Sequence, residues 1–432
     1  MTAPPEPGAR SQTPPTAAEG VEQAAAQRRV LTVLVVSQVL SGAGLAAGIT
    51  VGALLAQDML GSTRLSGLPS GLFTTGSALA AVAVGRVSQR YGRRPGLAAG
   101  YATGAVGSGG VIAAAVTGSA PLLFFALFVY GAGSATNLQA RYAGADLADP
   151  AHRGRAVSTV LVATTFGGVV GPNLAAPTGV VAEALGIPRL AGPFLLAGAA
   201  YGAGALFLAV WLRPDPLLTA REIAARREVA EAAAEDPAAG GGPETEPVAS
   251  RGGVPLGAGI MALAQLVMVA IMTMTPVHMQ DHGHSTAASG LVISLHVAAM
   301  FLPSPLTGLL VDRVGRLWTA CGSGLVLLAA GVLAALSPPD SLPLLAAALV
   351  LLGLGWNLGL ISGTALITDS LPLATRARTQ GMVDVGIAVS GAVGGMASGF
   401  VVAGLGFPFL AAVGGALALS LIPVIALAAR PR

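Results

Sequence analysis

The sequence predicts an all-α membrane protein of twelve transmembrane helices arranged as two six-helix halves. Three observations carry this expectation. Of the 432 residues, 53% are hydrophobic and only 10% charged, whereas a soluble domain carries about 25% charged residues. Twelve apolar runs each reach the roughly 20 residues a helix needs to cross a bilayer. The second six runs repeat the first six at one constant offset. The apolar runs are continuous and do not alternate, which favours helices over a β-barrel. With a mean hydropathy of +0.74, the chain is neither a cytosolic enzyme, a nucleic-acid binder nor a secreted disulfide scaffold. A single cysteine, Cys321, excludes an internal disulfide and any cysteine-pair metal site.

In order, the runs fall at 30–56, 65–85, 95–117, 121–147, 156–183 and 189–212, then at 254–279, 286–311, 317–337, 342–371, 379–404 and 407–429. All 23 basic residues are arginine. If the runs alternate in direction, Arg28, Arg29, Arg86, Arg90, Arg93, Arg94, Arg153, Arg155, Arg313, Arg316, Arg376, Arg378 and Arg430 share one side, and only Arg64 and Arg189 lie on the other. The positive-inside rule places that arginine-rich side, and both termini, in the cytoplasm of an inner or plasma membrane. Residues 1–27 are rich in Pro and Ala with no apolar core, so they are expected to be a disordered tail and not a signal peptide. The two halves are expected at 28–212 and 253–432. Between them, residues 213–252 hold a charged helical stretch around Arg221–Glu228 and a Gly/Pro/Glu-rich linker.

Adding 223 to a first-half number reveals the repeat. Gln57-Asp58 meets Gln280-Asp281, Ser62-Thr63 meets Ser285-Thr286, and Ser66-Gly67-Leu68 meets Ser289-Gly290-Leu291. Gly85 then meets Gly308, Arg90-x-Gly92-Arg93 meets Arg313-x-Gly315-Arg316, Asp146 meets Asp369, and Arg153 and Arg155 meet Arg376 and Arg378. The chain is therefore a tandem duplication of a six-helix unit.

Two parallel six-helix repeats, with a path between them, resemble the major facilitator superfamily. Gly308-Leu-Leu-Val-Asp312-Arg313-Val-Gly315-Arg316 resembles that superfamily's loop signature, and Gly167-x-x-x-Gly171-Pro172 is similar to its fifth-helix Gly-Pro bend. In the first-half copy of the loop, Gln89 stands where Asp is usual, so a symmetric charge pairing between the halves is not expected. The resemblance covers residues 28–430 and implies a secondary transporter.

The repeat also serves as an internal control, because positions that differ chemically between halves are candidates for function. Met261, Met268, Met272, Met274, Met279 and Met300, with His278, His282, His284 and His296, crowd into 40 residues of the second half. Their first-half counterparts include Leu45 for Met268, Ile49 for Met272, Phe73 for His296 and Ser77 for Met300. Met268 and Met272 are i,i+4 on one face of the seventh helix, and His296 and Met300 are i,i+4 on the eighth. His296 lies about 15 Å from the outer end of its helix at 1.5 Å per residue. Thioethers with imidazole select Cu(I) among biological metals, and an ionisable group at the midplane is a functional candidate. Met-x-x-x-Met followed by His-x-x-x-Met resembles the CcoA-like copper importers, in which these motifs are taken as the copper path. The resemblance implies a monomer that takes up copper as substrate, with no other cofactor, through Met268, Met272, His296 and Met300.

Outside the membrane, His278, Met279, His282 and His284 form a candidate copper-capturing loop. Arg141 and Asp384 are charges within the fourth and eleventh helices, candidates for a proton path or a cavity lining, with no partner evident. Two rival readings remain. One is transport of an organic solute, by drug efflux or vitamin uptake such as riboflavin. The other is a metal sensor, for which neither tail nor linker supplies a signalling domain. No catalytic constellation and no nucleotide-binding motif is present.

Overall fold

The computed structural model describes residues 17–50, 55, 59, 68–234 and 252–428. The first-half repeat residues 57–58 and 62–67, residues 1–16, most of the linker's far end (235–251) and Arg430 lie outside the described residues. Sixteen α-helices are described, with no strand among them. In the first half they are α1 (Ala17–Thr50), α2 (Leu68–Tyr91), α3 (Arg93–Thr117), α4 (Ala120–Ala145), α5 (Arg153–Asn173), α6 (Ala175–Ala184) and α7 (Gly192–Trp211). Helix α8 (Pro216–Ala234) belongs to the connection. The second half comprises α9 (Gly253–Asp281), α10 (Thr286–Phe301), α11 (Ser304–Val314), α12 (Arg316–Leu336), α13 (Leu342–Ser370), α14 (Arg376–Leu405), α15 (Phe407–Leu419) and α16 (Leu421–Ala428).

Eight stretches among the described residues are long and apolar enough to cross a membrane. Helices α1 and α2, the α5–α6 pair and the α15–α16 pair complete the twelve-helix fold. Three expected single spans are broken. The fifth is interrupted at Leu174, two residues past the Gly167–Pro172 motif. The eighth breaks at Leu302-Pro303, where proline lacks the amide that would continue the ladder. The twelfth breaks at Ser420.

One further expectation is corrected. Residues 17–27 are helical and extend α1 beyond its apolar run. The Gln23 side chain donates to the Leu147 carbonyl (3.0 Å) and Gln27 to that of Gly144 (2.7 Å). Alanine supplies helix propensity there, and the amides tie the helix to the end of α4.

Each half has its own apolar core. The first is built on Tyr101, Tyr130, Phe194, Tyr201 and aliphatic neighbours. Met261, Met268, Met300, Trp356, Phe407 and their neighbours form the second. Between halves, α2 packs along α14 and α5 along α11. The repeat is visible in the backbone itself. Gly92 (φ 99°, ψ 167°) and its equivalent Gly315 (φ 103°, ψ 157°) make the same turn, in a region that side chains other than glycine rarely adopt.

Candidate functional site

The arginine-rich loops converge at one end of the bundle and join the halves through a network that obeys the 223-residue offset. Asp312, at the end of α11, accepts hydrogen bonds from the backbone N–H of Gly154 (2.8 Å) and Arg155 (2.9 Å) at the start of α5. Its repeat partner Gln89, at the end of α2, does the same for Ala377 (2.8 Å) and Arg378 (3.3 Å) at the start of α14. Helix starts offer unpaired N–H groups and a partial positive charge, so an acceptor is required at both places. Gln89 supplies it without charge. The geometry is thus symmetric although the charge is not, because only the carbonyl oxygen of position 89 is needed. The Gln89 amide also donates to the carbonyls of Leu373 (3.1 Å) and Ala374 (2.5 Å), a contribution Asp cannot make.

Two aspartates complete the network. Asp146 accepts from Arg93 of its own half (2.7 Å) and stands 3.8 Å from Arg376 of the other. Its partner Asp369 accepts from Arg316 of its own half (2.9 Å) and from Arg153 of the other. Close approach is part of the design: a side chain at Gly308 would meet the Gly154 carbonyl at 2.6 Å, and one at Gly85 would meet the Ala377 carbonyl at 2.8 Å. The two halves are therefore closed on each other at this end.

Further inside, Arg141 and Asp384 find each other. The guanidinium donates from Nη2 to Asp384 Oδ1 (2.7 Å) and to the Tyr142 hydroxyl (2.9 Å), and from Nε to Thr364 Oγ1 (3.1 Å). Tyr142 also donates to Asp384 Oδ1 (3.0 Å). Asp384 Oδ2 is buried without a partner. Thr364, the repeat equivalent of Arg141, sits on α13 and donates onward to the Met261 sulfur (3.4 Å). The pair spans the two halves, so each charge owes its compensation to the other half. Sequence reasoning singled out both charges but not their pairing; the offset linking 141 to 364 was the available signal that the two helices face each other.

Of the methionine and histidine set, Met261, Met268, Met279 and Met300 are buried in the second-half core, with Met272 and Met274 packed on its margin. Helices α9 and α10 each pack chiefly on other helices, α10 on α13 above all, and share a smaller contact with one another. His296 is fully buried; its Nδ1 meets the Leu349 carbonyl of α13 at 2.7 Å, and its Nε2 has no hydrogen-bond partner. Because a carbonyl only accepts, Nδ1 carries the proton, and the neutral ring then presents a lone pair at Nε2. Among the described residues no three His, Cys, Asp or Glu side chains gather as metal ligands. At the opposite end of the bundle, the His278 ring stacks on Phe407 (4.4 Å, 15°) and lies 4.4 Å from the His282 ring. His282 bonds the His278 carbonyl (2.7 Å), and His284 bonds that of Pro339 (2.9 Å). Met279 is buried beneath them. The three histidines do not share one centre, since His284 is engaged with a different loop.

Two helical bundles that seal at one end through paired, repeat-related contacts define a transporter of the alternating-access kind. The family model of the Major Facilitator Superfamily matches residues 34–258 and again 256–432. The chain belongs to that superfamily. It is 56% identical over 405 residues to the uncharacterized MFS-type transporter YdeG of Bacillus subtilis, covering 94% of this chain and 93% of that one. To the riboflavin transporter RfnT of Brucella anthropi it is 34% identical over 367 residues, 84% of this chain and 86% of that one. Among solved structures, the human organic anion transporter MFSD10 superposes with a TM-score of 0.73 at 16% identity, covering 92% of this chain and 99% of that one.

Proposed function

We propose that the protein is a plasma-membrane transporter, acting as a monomer and not an enzyme, that takes up an organic solute of the riboflavin class. The observation that carries this reading is the 34% identity, along 84% of the chain, with a riboflavin transporter. The arginine-rich end, with both termini, is assigned to the cytoplasm by the positive-inside rule, so the described state is closed toward the cytoplasm. Alternating access then requires the Asp312 and Gln89 contacts to break as the solute passes inward. Uptake of labelled riboflavin by a flavin-auxotrophic host, with and without the protein, tests the reading. Equal uptake in both hosts refutes it.

A second reading, copper import through Met268, Met272, His296 and Met300, is favoured by one specific observation. Metal-binding histidines commonly donate their other ring N–H to a backbone carbonyl. His296 is held that way by Leu349, with Nε2 unpartnered. His278, Met279, His282 and His284 would then serve capture outside the membrane. Radiocopper uptake separates the two readings, since the Met and His substitutions affect copper alone.

A further inference from the structure

The repeat exposes an imbalance of charge at the closed end. At Asp312 the seal carries its own anion, set on the start of α5 with the Arg155 guanidinium 4.0 Å away. At the equivalent Gln89 the acceptor is neutral, yet a guanidinium is present there too. Arg221 of α8 donates from Nη2 to the Gln89 carbonyl of the first half (3.0 Å) and to the Leu373 carbonyl of the second (3.3 Å). Both partners are uncharged. Its Nε is buried without a partner, and its Nη1 donates to no described residue. The neutral side thus holds a fixed cation and no anion, where the charged side holds both.

Beside this guanidinium lies an open cavity of about 380 Å³, lined by Gln89, Arg221 and Ala374. One water occupies roughly 30 Å³, so a phosphate group fits with room to spare. The surroundings are positive. Within four positions of the lining residues stand Arg86, Arg90, Arg93, Arg376 and Arg378, against the single carboxylate of Glu222. The nearby aspartates are engaged: Asp146 is shared by Arg93 and Arg376, and Asp215 accepts from the Arg94 N–H and caps α8. The depth is that of lipid headgroups. Tyr91, two residues past Gln89, is exposed with the Arg90 guanidinium over its ring (5.1 Å), and Trp211 and Trp318 are exposed at the same end of the bundle. Such rings collect at a membrane–water interface, and basic pockets between helices at the cytoplasmic surface bind anionic headgroups. The planar guanidinium matches phosphate geometry. Because two carbonyls already hold it, little side-chain freedom is lost on binding.

We propose that this cavity is a binding site for an anionic phosphate group, from a lipid headgroup or from free phosphate, received on the Nη1 edge of Arg221, and that the bound anion strengthens the closed state on the side where Gln89 stands in place of aspartate. Arg221 holds both halves only while this end is closed. A ligand of its fixed guanidinium therefore binds the closed state better and shifts the equilibrium toward it. The site lies outside the path between the halves and is independent of which solute is carried.

The test uses the full-length protein carrying Cys321→Ala and Ser158→Cys. Position 158 is buried against Gly308 of the other half, so its labelling by a membrane-permeant maleimide reports opening. The protein is placed in vesicles of phosphatidylcholine, in vesicles of phosphatidylcholine and phosphatidylglycerol in equal parts, and in the first vesicles with inorganic phosphate against chloride of equal ionic strength. Anion binding should slow labelling about fivefold, the effect of one arginine at an anionic surface. Slowing by phosphatidylglycerol alone assigns the site to a lipid headgroup, and slowing by inorganic phosphate assigns it to the free ion. Arg221→Gln should remove the slowing. It also loses two carbonyl bonds and labels faster throughout, so the ratio between conditions is the readout, which a purely structural role of Arg221 would not move. Arg226→Gln, an exposed cation of the same helix, should keep the full response. Ala374→Glu sets a carboxylate at the cavity and should label slowly without any added anion; it decides the matter if Arg221→Gln fails to fold. The site is overturned if neither anion slows labelling of the parent, if Arg221→Gln responds as the parent does, or if Arg226→Gln loses the response equally.

Discussion

Removing the charge of Asp312 while keeping its shape should open the arginine-rich end. In the closed state both carboxylate oxygens are used, on the N–H groups of Gly154 and Arg155, and the side chain is only 3% exposed. Asp312→Asn retains one acceptor and turns an NH2 group toward a backbone donor. A hydrogen bond to a charged group contributes about 1.5–3 kcal/mol against about 0.5–1.5 for a neutral one. Loss of the favourable charge at the α5 N-terminus adds about 0.3–1 kcal/mol. The Arg155 guanidinium, 4.0 Å away and half exposed, adds little. A net loss of about 2 kcal/mol corresponds to a roughly thirtyfold larger open fraction. Ser158 reports it: it is 1% exposed and lies against Gly308 across the closed interface. In a Cys321→Ala background, Ser158→Cys should react with a membrane-permeant maleimide about thirtyfold faster once Asp312→Asn is added. An unchanged labelling rate would refute the assignment of Asp312 as a closing contact.

Other outcomes follow from the same contacts. Asp384→Asn leaves the Arg141 charge buried and uncompensated and should cost about 3–5 kcal/mol, read as a lower unfolding temperature of the purified protein; the double change Arg141→Met with Asp384→Leu should cost less. Gly308→Val places a branched side chain against the Gly154 carbonyl and should abolish transport while membrane insertion, followed by a fluorescent fusion, stays normal. His296→Phe, which copies Phe73 of the first half, should insert normally and leave riboflavin uptake unchanged; radiocopper uptake, if the parent shows any, should vanish. A reporter fused within 235–251 should report the cytoplasmic side, and an external signal would overturn the assigned topology.

The fold was legible because a bilayer enforces long apolar helices and a tandem repeat is written directly in residue spacing. Helix breaks were less so. Pro303 stands in its break, whereas Pro172 precedes the break at Leu174 by two residues and Pro423 follows that at Ser420 by three, so the prolines mark the neighbourhood of a break and not its position. The helical extension of α1 was masked by composition: Pro-rich residues precede it, and its fixing partners, the Leu147 and Gly144 carbonyls, are more than a hundred positions away. At the site, spacing identified Met268, Met272, His296 and Met300 as sharing helix faces, but not which neighbour those faces meet; that His296 bonds Leu349 depends on the packing of α10 on α13. Arg141 and Asp384 were conspicuous singly, and only the cross-half packing pairs them.

The exchange of Asp for Gln at position 89 makes the two closing contacts unequal in kind. The Asp312 contact is electrostatic at its centre: an anion set on a helix start, with Arg155 nearby. The Gln89 contact has no charge, but it has two additional hydrogen bonds, from its amide to Leu373 and Ala374, and a cover. Helix α8 lies against it, and Arg221 donates both to the backbone carbonyl of Gln89 (3.0 Å) and to that of Leu373 in the other half (3.3 Å). Asp215, ahead of α8, accepts from the Arg94 backbone N–H (2.7 Å) and from the first turn of its own helix, which fixes α8 in that position. Arg221 thus bridges the halves at the side where the aspartate is missing. Opening the Asp312 side requires one anion to leave a helix end, whereas opening the Gln89 side requires four uncharged bonds to break and Arg221 to release one carbonyl. The connection between the halves, which composition alone marks as a solvated spacer, is therefore part of the closed state on the neutral side of an otherwise symmetric seal.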